Sequence, residues 1–219
     1  MIKIRNSAIF LALVFVSGVL YASPFIEGMP KLTASAGDSD LKEWTKPGVK
    51  GSEYTKLLVP QPQIFLSEKN KYKGIQPDQM KAFADRVGMI FTSRMGTVME
   101  IVDRPGSGVL VLDMALTELV MKKKRGILGY SPMGAVAHAA TSQKEYEDLQ
   151  QLAEKIVLKD AKLEIEMLDG KTGERVAIRV LSIAGKEKGR EEKSWEAMGL
   201  ELRALAERFH ANYSASIGR

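Results

Sequence analysis

The sequence predicts an α+β fold: a single, mainly antiparallel sheet with two principal helices packed on one face, plus an inserted segment at about residues 121–157. Three observations predict it. Leu110, Leu112, Met114 and Leu116 alternate with Val111, Asp113, Ala115 and Thr117, the period-two signature of a strand over 109–119. Two more alternating runs, Leu163-Ile165-Met167 and Val176-Ile178-Val180, flank Asp169-Gly-Lys-Thr-Gly-Glu174, which reads as a hairpin turn. Met80, Phe83, Ala84, Val87, Ile90 and Phe91 recur at helical spacing, as do Trp195, Met198, Leu202, Leu205, Ala206 and Phe209.

The elements follow in order. Lys3 and Arg5 precede an apolar stretch that runs to a small-residue exit at Ala22. Its length falls short of the roughly twenty residues a helix needs to cross hydrocarbon. Residues 1–22 therefore read as a signal peptide, cut after Ala22. The alternative is an uncleaved inner-membrane anchor with its basic end in the cytoplasm. Residues 23–52, rich in Ser, Gly, Pro, Lys and Asp, read as an extended leader and not as a packed element. Trp44 stands out there as a plug onto the domain or a partner contact.

Residues 53–213 read as one α+β domain. Residues 57–59 and 64–66 flank Pro60 and Pro62, which points to an edge or irregular strand. Pro77 and Asp78 suit the first turn of a helix over 77–95. A short strand over 98–102 and a turn over 104–108 come before the long strand. Residues 142–157 read as a polar helix, and residues 194–213 as the closing one. Strand, helix, two strands, insertion, hairpin, helix is an order that places two helices against one side of a sheet.

Removing residues 1–22 takes away Lys3 and Arg5 and no acid, so the formal charge falls from +5 to +3. That balance is too mild for nucleic acid, which needs a concentrated basic face. The chain has no cysteine. A disulfide scaffold, a cysteine zinc site and a thiol nucleophile are excluded.

Six motifs fall in one order: Trp44-Thr-Lys-Pro-Gly-Val49, Tyr54-Thr-Lys-Leu-Leu-Val59, Tyr72-Lys-Gly-Ile-Gln-Pro-Asp78, Val102-Asp-Arg-Pro-Gly-Ser-Gly-Val-Leu110, Leu168-Asp-Gly-Lys-Thr-Gly-Glu174 and the Trp195 helix. In that series the chain resembles the bacterial family catalogued as domain of unknown function 3313, over roughly residues 40–212. The resemblance implies an exported cell-envelope protein, of a kind often made as a lipoprotein. It supplies no catalytic residue. Ser23 stands where the lipid-bearing cysteine of such relatives would be, and serine cannot form the thioether. The resemblance then implies a periplasmic protein without a lipid anchor. The stretch 142–157 departs from the family pattern.

No constellation carries a reaction. Gly170-Lys171-Thr172 looks like the end of a phosphate loop, but Ile165 stands where that loop needs glycine and the context is a hairpin. His138 and His210 have no second histidine at metal spacing. There is no Gly-x-Ser-x-Gly elbow, and Ser131-Pro-Met-Gly134 is no substitute. Glu164 and Glu166 share one strand face. Their pattern turns them outward, opposite Arg175 and Arg179, for cross-strand ion pairing rather than acid–base work. No cofactor, metal or catalytic residue is expected.

The remaining candidate is Lys122, Lys123, Lys124 and Arg125, followed by apolar sequence that includes Ile127, Leu128 and Tyr130. The apolar part either folds back on the sheet, binds a protein partner in the envelope, or meets an anionic membrane surface. The expected function is a non-enzymatic protein-binding or assembly domain in the periplasm. A peripheral membrane-surface protein using the basic–apolar segment 121–141 and a hydrolase without a recognisable motif are the alternatives.

Overall fold

A computed structural model of the chain describes residues 23–72, 74, 77–123, 156–184 and 193–218. The fold is α+β, with a nine-stranded sheet and two long helices among the described residues. The strands are β1 Thr33–Ser35, β2 Asp38–Thr45, β3 Lys56–Leu58, β4 Gln63–Leu66, β5 Glu100–Ile101, β6 Val109–Lys123, β7 Ile156–Asp169, β8 Arg175–Ala184 and β9 Lys193–Ser194. The helices are α1 Pro77–Met95 and α2 Trp195–Ser216.

The backbone of the sheet is β1-β2-β8-β7-β6, antiparallel throughout. β3 and β4 lie in succession along β6, and both run parallel to it. Pro60 and Pro62, which lack the N–H a ladder requires, separate them. β3 is also flanked by β5, so it is an irregular strand inside the sheet and not its edge.

α1 and α2 cover one face. Phe83, Val87, Phe91 and Met95 from α1 join Met198, Leu202, Leu205 and Ala206 from α2 over Leu112, Met114, Leu116, Leu163 and Ile165. Phe91 meets Phe209 edge to face at 5.8 Å between ring centres. Both helices lie where the apolar spacing predicts them.

Two expectations change. The leader is not merely extended. Residues 33–45 form β1 and β2, and β2 pairs with β8 from Leu41 to Thr45. Leu41 is buried in the main core opposite Leu181. One buried leucine per eight-residue strand is too sparse a pattern to read as a strand from periodicity. The insertion is also shorter than expected at both ends. β6 continues to Lys123 and β7 begins at Ile156, and these two residues are paired. Val120, Met121 and Leu158 are buried there. A bulge after Thr117 turns β6, with Glu118 at φ 53° and its carboxylate 2.9 Å from Lys162 Nζ. The helix expected over 142–157 lies outside the described residues up to 155, and residues 156–157 are strand.

Candidate functional site: the strapped face of the sheet

The second face of the sheet carries polar side chains at its centre. Asp113 and Ala115 of β6 stand opposite Glu166 and Glu164 of β7, and those two stand opposite Ile178 and Val180 of β8. Residues 23–32 cross this face as a strap. Ile26 is 1% exposed and packs on Ile178 and Val180, with Phe25, Met29, Leu32 and Trp44 around it. Phe25 and Phe65 meet with ring centres 6.3 Å apart.

The local sequence explains the strap's shape. The Ser23 hydroxyl accepts the amide N–H groups of Phe25 at 2.9 Å and Ile26 at 2.8 Å, a turn that serine favours. That turn aims Ile26 inward. Gly28 then takes φ 58°, a left-handed geometry that suits a residue without Cβ.

Three polar contacts fasten it. Ser23 Oγ donates to Glu164 Oε2, and Thr117 Oγ1 donates to Glu164 Oε1 at 2.7 Å. The Arg175 guanidinium donates to the carbonyls of Glu27 at 2.8 Å and Gly28 at 3.2 Å. Arg175 also pairs with Glu166. Burial, then the nearby Glu166 charge, pushes the Asp113 carboxyl above its usual range, against the pull of the Met114 amide.

The expected cross-strand pairing therefore divides. Glu166 pairs with Arg175 as the pattern predicts. Glu164 does not face solvent: it has no exposure at all. The strap covers it, and period two cannot reveal a cover supplied from more than a hundred residues away in sequence. Arg179 turns to Glu43 of β2 at 3.1 Å, and burial lowers the guanidinium's pKa.

The sequence candidates fall in two places. Trp44 is half-buried beside the strap. Lys122 is exposed near the end of β6, where the Met121 N–H donates to Asn70 Oδ1 at 3.0 Å. Lys123 is the last residue of β6. Lys124, Arg125, Ile127, Leu128 and Tyr130 lie outside the described residues, as does His138. Ser23, Thr117, Glu164 and Arg175 do what no motif announced. Their only sequence signal is the apolar pair Phe25-Ile26 inside a polar leader, facing a strand with two carboxylates.

A concavity of about 390 Å³ lies between β2, β8 and α2. It is lined by Asp38, Asp40, Ser182, Glu201 and Arg208 among others, and Asp38 pairs with Arg208 across it. No group of three or more metal-ligating side chains occurs among the described residues. No helix among them is long and apolar enough to cross a membrane.

The chain is thus an α+β domain whose sheet is covered by two helices on one face and by its own N-terminal strap on the other. It belongs to the family described as protein of unknown function (DUF3313), whose model matches residues 22–209. No curated protein matches it in sequence. Among solved structures it is similar to a neuraminyllactose-binding hemagglutinin homolog from Helicobacter pylori, at 10% identity and TM-score 0.43, covering 78% of this chain and 93% of that one. A PelC dodecamer from Paraburkholderia phytofirmans matches at 10% identity and TM-score 0.38, covering 78% and 96%. Lipoprotein GNA1162 from Neisseria meningitidis matches at 12% identity and TM-score 0.33, covering 72% and 99%. Likenesses this distant carry no argument about this chain.

Proposed function

We propose that the protein is an exported, non-enzymatic domain of the cell envelope, cut after Ala22, that binds a partner protein in the periplasm through the basic–apolar segment beginning at Lys122. The pairing of Lys123 with Ile156 supports this reading. Lys123 and Ile156, the described residues on either side of 124–155, are paired neighbours at the end of the two longest strands. The basic–apolar sequence follows directly on that strand end, and function gathers on connecting segments. Its four adjacent cations favour an acidic surface.

Photo-crosslinking from Tyr130 in intact envelopes tests it. One adduct of defined mass is expected, lost when residues 122–125 are made neutral. An absent adduct, together with flotation of the wild-type domain on anionic liposomes that the neutral variant loses, would replace the partner with a membrane surface. Mass spectrometry of the native protein should give a chain starting at Ser23 without an acyl group. An intact Met1 points instead to an inner-membrane anchor.

A further inference from the structure

Among the described residues, β4 accompanies β6 as far as Leu119, and a side chain takes over from there. The Ser67 N–H donates to the Leu119 carbonyl at 3.0 Å, and the chain then turns, with the Asn70 N–H donating to the Ser67 carbonyl at 2.8 Å. The turn brings the Asn70 amide to β6. Its Oδ1 accepts the Met121 N–H at 3.0 Å, and its Nδ2 donates to the Tyr72 carbonyl at 3.2 Å. A strand N–H at the sheet's margin is satisfied in this way, and the loop over 67–72 is held beside the end of β6.

The same contact gathers cations. Met121 pairs with Leu158 across β6 and β7, and both are buried in the main core. Lys122 and Lys159, next in the chain after each, turn away from that core, since side chains alternate along a strand. Lys122 is exposed and Lys159 is half-buried. Lys69 and Lys71, on either side of Asn70, are both exposed. Four lysines from three chain segments thus share one end of the sheet, and Lys123, Lys124 and Arg125 continue from it in sequence. Glu68 and Asp160 lie beside them.

We propose that Lys69, Lys71, Lys122 and Lys159 form a docking surface for an acidic segment of the partner protein. The inference rests on the partner-binding reading above and gives that partner its chemistry. It also widens the surface from the segment beginning at Lys122 to folded parts of the domain. The two carboxylates favour a protein over a lipid surface. An anionic bilayer is negative everywhere and repels Glu68 and Asp160 while it attracts the lysines. A protein segment can set its own acids against the lysines and keep them off the two carboxylates. Attraction of this kind speeds encounter and weakens with salt.

The test uses the chain purified from envelopes, a labelled oligoglutamate peptide and phosphatidylglycerol vesicles. Lys69→Gln, Lys71→Gln and Lys159→Gln together should weaken oligoglutamate binding about tenfold at low salt, as expected for three exposed ion pairs, and reduce its salt dependence. If the triple variant does not fold, Lys69→Gln with Lys71→Gln, both at exposed positions, carries the same test with a loss of about threefold to fivefold. Wild-type affinity in these variants overturns the proposal. So does binding to the vesicles without binding to oligoglutamate, which makes a membrane the partner. The Tyr130 adduct in intact envelopes separates the two readings. An adduct kept in the triple variant but lost when residues 122–125 are neutral leaves the partner-binding reading standing and overturns the wider surface. An absent adduct beside lysine-dependent oligoglutamate binding overturns the partner-binding reading and upholds the acidic-segment site.

Discussion

The two faces of the sheet are covered in different ways. The helix face is sealed by apolar side chains from α1 and α2, continuous from Phe83 to Ala206. The strap face is sealed by ten residues of irregular chain that bury one fully enclosed side chain, Ile26, and depend on Glu164 and Arg175 for their position. A helix repeats its apolar contacts every turn and loses little if one fails. A strap has no internal ladder, so each contact holds a larger share of it. The helix face therefore sets global stability, and the strap face can open by itself.

The sharpest break in that comparison comes from the helix side. Phe91 has no exposure and sits between α1, α2 and the sheet. Phe91→Ala should cost about 3–5 kcal/mol, measured by denaturant unfolding. On the strap, Ile26→Ala should cost about 2 kcal/mol, the low end for such a truncation, because a strap collapses or lifts more readily than a helix. Hydrogen exchange should show that loss at residues 25–32 before the rest. If the whole sheet exchanges together with the strap, the two faces form one cooperative unit and the distinction fails.

A smaller effect separates shape from polarity on the strap face. Thr117→Val keeps the volume and removes one of the donors to Glu164. A loss of about 1–2 kcal/mol is expected, since a buried carboxylate oxygen then lacks its hydroxyl. No measurable loss would mean that Glu164 finds a replacement donor.

The same contrast explains what was legible in the sequence. α1, α2 and the β6, β7 and β8 core are readable because their large apolar residues are periodic: Leu110, Leu112, Met114 and Leu116, and Leu163, Ile165 and Met167, recur at every second position. The site on the other face was not. Glu164 occupies an outward position by period, and only a cover from residues 23–32 buries it. β1 and β2 were missed because Leu41 alone faces the main core while Trp44 faces the strap. The ends of β6 and β7 were missed because Lys122 and Lys123 extend a strand whose apolar alternation has already been broken by the bulge at Glu118. Long-range cover, split burial and bulges all remove the period that sequence reading depends on.

The least effect expected concerns a polar bond on the helix side. Tyr54 is buried in the main core, and its hydroxyl donates to Asp169 Oδ2 at 3.2 Å. Tyr213 donates to the Tyr54 carbonyl at 2.8 Å, which ties α2 to the same point. Burial first, and the Asp169 charge second, push the Tyr54 phenol up to about 12. The raised value means the neutral phenol stabilises the fold fully below its unfolded value of 10.0, and that contribution is lost as pH rises towards 12. Tyrosinate absorbance should therefore show one late step, absent in Tyr54→Phe, and the variant should lose less stability between pH 10 and 12. Asp169 is held low chiefly by the Thr172 amide, so its own contribution persists above its ordinary value and is lost only in acid. Tyr54→Phe should leave most of that acid limb in place. If the late step survives the substitution, the helix face has no polar lock at Tyr54, and the contrast with the strap face is sharper still.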